Sequence, residues 1–318
     1  MKSYKISLYV IALIICMSSK DGFANILQEE QTEKEHAAGT EFFFSDDSDG
    51  FQTQKLSAEF FPQYENADDY LGIRASAYRY KADTWKQDGQ KISFIGRQID
   101  SATANGWAVE AGIFQQNDHT LLTLDGSYRT PIAQKTAIEV FASREWVETQ
   151  PALEHGTHFT FVGAALDQGL GEHVTVVGVA GLQFFSDDNR RDHGRVKLIY
   201  QPSLDLGLTL QARYRMYQSS EEDVGRQYFN PKDYHESMVA LGWRQRFSGW
   251  SAGFTAGLGR EKINDIPSQS TRLFELNLQS PIYGSQFIRM NAGYNRSASF
   301  YGPNYDYKYI RGEWVLRF

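Results

Sequence analysis

The chain has 318 residues and a formal net charge of −7, with 41% hydrophobic and 14% aromatic residues. An acidic chain is a poor candidate for binding nucleic acid. Its single cysteine excludes an internal disulfide. The mean hydropathy of −0.48, with no apolar run of 18 residues, argues against a membrane-spanning helix. The aromatic content, with 27 glycines and only 8 prolines, favours many strands.

The first 24 residues predict a secretory signal peptide. A start with two lysines precedes the apolar run 6–17, and Gly22 and Ala24 supply the small residues of a cleavage site. A lipoprotein signal at Cys16 is the alternative, but bulky isoleucines precede that cysteine. Cleavage near Ala24 would remove three lysines and one aspartate, so the formal charge would fall from −7 to −9.

A polar lead, residues 25–39, is expected before a barrel domain over residues 40–318. In that domain apolar and polar residues alternate strictly over long stretches, as in 208–217 and 288–295, which is the pattern of a strand with two different faces. We predict about sixteen strands, with a range of 14–18. Their centres lie near residues 43, 57, 75, 94, 110, 124, 140, 161, 178, 197, 211, 239, 256, 276, 291 and 311.

A soluble β-sandwich also alternates, so the length of the strands decides between the two architectures. About ten residues allow a tilted strand to cross a bilayer, whereas sandwich strands are nearer five or six. Closing the sheet satisfies every backbone hydrogen bond without water. The predicted fold is therefore an all-β, transmembrane, antiparallel up-and-down β-barrel. Its connections should be short after even strands and long and polar after odd strands, as at 80–90 and 219–233.

The alternation also predicts which side chains face the lumen. If Leu210, Trp243 and Ile288 face lipid, charged residues on the opposite parity point inward. They are either salt-bridge ladders of a wet barrel or a polar track of weak sites for a passing molecule. Inner tyrosines are either stacking surfaces for sugars or girdle residues near a rim. The candidates are Arg213, Arg215, Arg244, Arg246, Arg289, Arg311, Tyr217, Tyr305, Tyr307 and Tyr309, joined by Arg74, Glu110, Glu139 and Lys197.

The stretch YFNPKDY, which we call the YFN element, is a second candidate, because a structure-breaking Asn-Pro step is packed among aromatic residues. We place it at the end of the longest outer loop, where its rings either anchor the loop to the outer girdle or fold it inward over the pore. The residues are Tyr228, Phe229, Asn230, Pro231 and Tyr234.

No catalytic or metal-binding motif is present, so we predict neither an enzyme nor a cofactor. His155 and His158 would have rings on opposite faces of an extended strand, and His119, His193 and His235 are expected at solvated loop edges. The acidic loop clusters at 45–49, 186–189 and 220–223 bear either solvated charge or divalent cations that bridge to lipopolysaccharide.

The last strand ends with Trp314, Leu316 and Phe318 alternating toward one face. This pattern resembles the C-terminal assembly signal of bacterial outer-membrane barrels. The resemblance implies recognition by the barrel assembly machinery and location in the outer membrane, in contact with lipid and lipopolysaccharide.

Residues 227–262 carry a wider resemblance, through Tyr228–Tyr234, the Trp243–Arg246 strand, Trp250 and the glycine-rich 253–259. They resemble the C-terminal porin domain of exopolysaccharide exporters, notably the exporter of the cellulose synthase operon, and more distantly the poly-N-acetylglucosamine porin. The tetratricopeptide repeats of those exporters have no counterpart in this sequence.

This resemblance implies export of an exopolysaccharide, with a polysaccharide synthase and a separate periplasmic tetratricopeptide scaffold as partners. A general or solute-specific porin, or an envelope-assembly barrel, is the alternative. A lipid or lipopolysaccharide hydrolase is the third candidate.

Overall fold

The computed structural model describes residues 35–203, 205–221, 224–225, 227–299 and 302–318. The predicted signal peptide and most of the predicted lead lie outside these residues. In the described part of the chain, no helix is long and apolar enough to cross a membrane.

Sixteen strands and one short helix make up the described fold. The strands are β1 (Glu35–Asp47), β2 (Phe51–Asn66), β3 (Asp69–Ala82), β4 (Trp85–Ile99), β5 (Gly106–Gln116), β6 (His119–Ala133), β7 (Thr136–Trp146), β8 (His158–Leu170), β9 (Val174–Phe185), β10 (Arg190–Tyr200), β11 (Leu208–Ser219), β12 (Asp233–Phe247), β13 (Trp250–Ile263), β14 (Gln269–Gln279), β15 (Gln286–Ser299) and β16 (Gly302–Arg317). The helix, α1 (Gln150–His155), lies between β7 and β8.

Each strand pairs antiparallel with its neighbours in sequence, and β1 pairs with β16 to close the barrel. The predicted fold class and the count of sixteen are confirmed. The barrel begins earlier than predicted, because residues 35–39 belong to β1 and not to a lead. Ala37 pairs with Phe61 of β2 and Arg317 of β16, so this segment completes the seam.

The outer face of the barrel is apolar along its whole circumference. Large side chains such as Leu122, Val239 and Leu258 are more than two-thirds exposed, and every strand from β1 to β16 carries at least one large exposed apolar residue. Exposure on this scale is far larger than a soluble protein tolerates. A closed sheet with no free edge and an apolar exterior is the fold of a barrel that spans a bilayer.

The two longest connections both follow odd strands. They are 147–157, which contains α1, and 220–232, which contains most of the YFN element; we call the end of the barrel that carries them the loop end. The expectation of a long loop at 80–90 is wrong, since β3 and β4 run on into a turn of two residues, Asp83 and Thr84. Apolar and polar side chains continue to alternate up to this turn. The backbone of Asp83, with a positive φ of 46°, marks where the chain reverses.

The tight turn between β12 and β13 was predicted correctly. Ser248 and Gly249 both have positive φ, 48° and 82°, which gives the hairpin a backbone twist that matches its strands. Trp314, Leu316 and Phe318 lie on the outer face of the barrel's last residues and are 47%, 40% and 65% exposed. Because the backbone of Phe318 exchanges hydrogen bonds with that of His36, this end forms part of the β1–β16 seam.

Candidate functional site

The strand register divides the inner face of the barrel into walls of different charge. On β1–β5, acids and bases alternate around the wall and neutralise one another. Arg74 contacts Glu59 at 2.6 Å and Glu110 at 2.5 Å, and Lys55 contacts Glu41 at 2.7 Å. Lys91 contacts Glu110 at 2.9 Å. We call these residues the neutralised wall: Glu41, Lys55, Glu59, Arg74, Lys91 and Glu110.

The inner face of β10 and β11 is different, because it carries cations and no acid. Arg195 lies directly opposite Arg215, and Lys197 lies directly opposite Arg213. β9 to β12 are described in full, and the one carboxylate on their inner face is Glu236, which contacts Arg215 at 2.6 Å. We call Arg195, Lys197, Arg213 and Arg215 the cationic wall.

The last two strands, β15 and β16, carry a third group of inner residues. Arg289 contacts Glu313 at 3.2 Å, and Arg311 contacts Glu41 across the seam. The side chains of Arg289 and Arg311 are 28% and 18% exposed, so both reach into the lumen. The structure therefore places Arg289 and Arg311 inward, as the alternation predicts, and ties both to acids.

The predicted tyrosines of β16 also lie on the inner face. The rings of Tyr307 and Tyr309 are 6.0 Å apart, and Tyr309 stacks on Phe43 of β1 at 6.4 Å. Tyr309 lies over Gly293, where any Cβ would clash with its ring. A ring laid on the wall in this way turns a face toward the lumen. Tyr305 is nearer the loop end, where its hydroxyl donates to Asp47 at 2.7 Å.

Two predicted arginines lie at the opposite end of the barrel. Arg244 donates from Nε to the Ser251 hydroxyl at 3.1 Å, and Arg246 is exposed two residues before the β12–β13 turn. They share the inward parity of β12 but are separated from the cationic wall along the strand. The remaining inner candidate, Glu139, is buried on β7 opposite Arg129.

The YFN element folds into the lumen, so one of the two predicted alternatives is what the structure shows. Tyr228 stacks on Phe185 with ring centroids 4.5 Å apart, and its hydroxyl donates to Asp187 at 3.0 Å. Arg191 donates to the Phe229 carbonyl at 2.8 Å. Tyr234 stacks on Tyr217 at 4.6 Å. Pro231 is also buried. The Asn-Pro step thus ends the loop, and the aromatic rings on either side of it pack on the inner wall.

The loop that contains α1 crosses the same end of the barrel. Leu153 is completely buried and belongs to one apolar cluster with Phe51, Tyr80 and Phe114, which lie on β2, β3 and β5. Glu148, just before the helix, accepts a hydrogen bond from the Thr53 hydroxyl of β2 at 3.5 Å. The loop therefore extends from β7 along the inner wall as far as β2.

The two long loops are joined to each other. The hydroxyl of Thr149 donates to the Gln227 carbonyl, and the hydroxyl of Thr157 donates to the Gln227 side chain. Ala152 of α1 and Tyr228 also belong to one apolar cluster. Together the described residues of the two loops form one cover over the loop end, which we call the loop plug (147–157, 220–221, 224–225 and 227–232).

The histidines do not assemble a site. His155 ends α1 and His158 begins β8, so they do not share the extended strand expected from their spacing. The expectation of a solvated loop edge is wrong for His193, which is buried on the inner face of β10 and hydrogen bonds to Gln183 at 3.0 Å. Among the described residues, no group of three or more His, Cys, Asp or Glu side chains is arranged to hold a metal ion.

Comparison with solved structures gives a strong match over nearly the whole chain. A structure described as a bacterial polysaccharide outer membrane secretin superposes with a TM-score of 0.69 at 13% identity, covering 90% of this chain and 99% of the other. The predicted resemblance in fold is confirmed. No family model and no curated protein matches the sequence.

Solute porins match less closely. Pseudomonas aeruginosa OprD gives a TM-score of 0.45 at 10% identity, covering 90% of this chain and 95% of that one. Acinetobacter baumannii OccAB2 gives 0.40 at 10% identity, covering 90% and 98%.

Proposed function

We propose that this protein is an outer-membrane channel that exports an exopolysaccharide. The observation that carries the proposal is the inner face of the barrel, where charged side chains and flat tyrosine rings follow one another around and along the wall. A hydrated polymer moves past many weak contacts more easily than past one tight site. The fold shared with a protein described as a polysaccharide secretin supports the same function.

The aromatic ladder on β16 and β1 supports a sugar polymer in particular. Tyr307, Tyr309 and Phe43 lie one after another with centroids 6.0 and 6.4 Å apart. Ring faces offer apolar surface, and the nearby Arg311 offers hydrogen-bond donors. A sugar ring, which has an apolar face and hydroxyl edges, matches this combination.

The test is deletion of the gene in its host. We expect surface polymer to be lost while synthesis at the inner membrane continues, since only the outer step is removed. Expression of the intact chain should restore the polymer. Unchanged surface polymer in the deletion strain would contradict the proposal.

A solute-specific porin is the second candidate, and the loop plug favours it. Loops folded into a barrel narrow the passage to the size of small molecules. Conductance of the purified protein in a planar bilayer separates the two functions. A solute porin would have a high conductance and would pass small sugars in a vesicle swelling assay with its loops in place, whereas a resting exporter would exclude those sugars and conduct only small ions.

A further inference from the structure

On the cationic wall, cations face cations across neighbouring strands, whereas the acids that face each other, Glu110 with Asp125 and Glu236 with Glu261, lie on other strand pairs. Like charges placed directly opposite in this way repel one another and destabilise the pair. Here two such pairs are consecutive on the inner face, Arg195 with Arg215 and Lys197 with Arg213. On β12, the next strand, a carboxylate lies opposite Arg215, namely Glu236, whereas Met238 lies opposite Arg213.

The neutralised wall shows that the same barrel can balance buried charge. There Arg74 lies opposite Glu59 and contacts Glu110, so the cation is flanked by acids on both sides. By contrast, Arg213 lies between Lys197 and Met238, and its Nε and Nη2 donate to the neutral amide oxygen of Gln211 at 3.0 and 2.6 Å. Pairing of cation with cation is therefore a local feature of β10 and β11.

Lys197 adds a second, independent observation. This residue is only 6% exposed on the inner face, and its Nζ has no hydrogen-bond partner among the described residues. The acids that act on it through space are Glu275 and Asp167, and Asp167 is already engaged by Arg129. A buried ammonium without an acceptor is costly unless a ligand or water supplies one.

We propose that the cationic wall is a binding site for anionic groups of the molecule that passes through the lumen. The ligand class is a polysaccharide that carries carboxylate or phosphate groups along its length. Arg213, which donates hydrogen bonds to a neutral amide, offers guanidinium donors that suit such oxyanions, and Lys197 adds a point charge between the strands. This inference rests on the proposed function and names its substrate class.

The passing polymer relieves the repulsion within the cationic wall. Each anionic group places a negative charge between two facing cations, and the next group along the polymer reaches the second pair. Because the four residues occupy neighbouring positions on only two strands, the contacts lie on one side of the lumen. The tyrosines of β16 remain available for the sugar rings.

The first test is ion selectivity of the purified full-length protein in a planar bilayer, with a KCl gradient across it. The wild type should prefer chloride, and Lys197→Gln and Arg213→Gln should each lower the chloride-to-potassium permeability ratio by about two-fold or more. Arg79→Gln is the matched control, because it removes the same charge from an exposed pair with Asp88 on the outer face. The gel mobility of each variant, compared between unheated and heated samples, checks that the barrel folds.

The second test uses oligosaccharides as blockers in the same bilayer. Oligogalacturonate, which carries carboxylates, should block the wild-type current at low salt. In Arg213→Gln, the concentration needed for half-maximal block should rise about ten-fold or more. Neutral cello-oligosaccharide and cationic chitosan oligomers should block weakly and equally in both proteins. A cation-preferring wild type, or block that is independent of ligand charge, would overturn the inference.

The two proposals fail separately. Chloride preference and oligogalacturonate block, found together with unchanged surface polymer in the deletion strain, would retain the anion site and reject polysaccharide export. Loss of a neutral or cationic surface polymer in that strain would retain export and reject the anionic substrate.

Discussion

Arg74 and Arg213 are both arginines on the inner face, yet their surroundings give them opposite effects on stability. Arg74 is held by Glu59 and Glu110 at 2.6 and 2.5 Å and is almost fully buried. Removing one partner of a buried ion pair leaves an uncompensated charge, whereas removing one of two like charges relieves repulsion. The alternation along the strands predicts that both lie inside, and only the partners across the strands show which one stabilises the barrel.

Arg74→Gln should therefore destabilise the barrel by about 3–5 kcal/mol, because Glu59 and Glu110 lose their shared cation. Arg213→Gln, the matched substitution on the cationic wall, should leave the free energy of unfolding unchanged or raise it. Urea unfolding of both variants in lipid vesicles, followed by tryptophan fluorescence, measures the difference. Equal destabilisation by the two substitutions would show that the two walls are electrostatically alike.

At the scale of single elements, the strands follow from the sequence and the loop contacts do not. Strict alternation along 208–217 specifies β11 and the inward parity of its arginines, since the period of a strand fixes both. The helix α1 has local signals as well. Thr149 caps its first turn, a proline follows at its start, and Gly156 ends it with φ of 69°. These signals went unrecognised because the segment is only six residues long.

Other features had no signal in the sequence. The loop predicted at 80–90 is instead a turn of two residues, because β3 and β4 continue their pairing up to Ala82 and Trp85. His193 was placed at a loop edge, but β10 begins at Arg190 and carries it inside. Leu153 packs against Phe51, about a hundred residues away in sequence, and no local pattern reveals such a contact.

Leu153 should be the anchor of α1, because it is a fully buried helix residue in an apolar cluster with Phe51, Tyr80 and Phe114 of the inner wall. Leu153→Ala should remove about 2–5 kcal/mol of packing free energy from the loop and release it from the inner wall. The barrel itself should stay folded, because the strands do not depend on this loop contact. The measurement is the rate of proteolytic cleavage within 147–157 in protein embedded in vesicles. Glu154→Ala, an exposed neighbour on the same helix, is the control and should leave the rate unchanged. If Leu153→Ala is cleaved no faster than the wild type, other contacts hold the loop.

In the whole molecule, the barrel encloses a passage that the loop plug obstructs at one end. The barrel provides a passage, and the two long loops, joined through Gln227, cover one end of it. Closed sheets do not change their strand number reversibly, whereas loops held by a few side-chain contacts open at low energetic cost. On the proposed export function, passage of a polymer would require the loops to move apart while the barrel keeps its structure.

Joining the loops covalently should stop that movement. The chain's one cysteine is Cys16, within the predicted signal peptide, so Thr149→Cys and Gln227→Cys introduce a pair without competing thiols. A short, reducible thiol–thiol crosslinker added to cells should abolish polymer export in the double variant, and reductant should restore it. Each single variant treated in the same way should export normally, because no bridge forms. Export that continues through the bridged loops would show that the polymer takes a path beside the plug, and the proposal that the plug opens would fail.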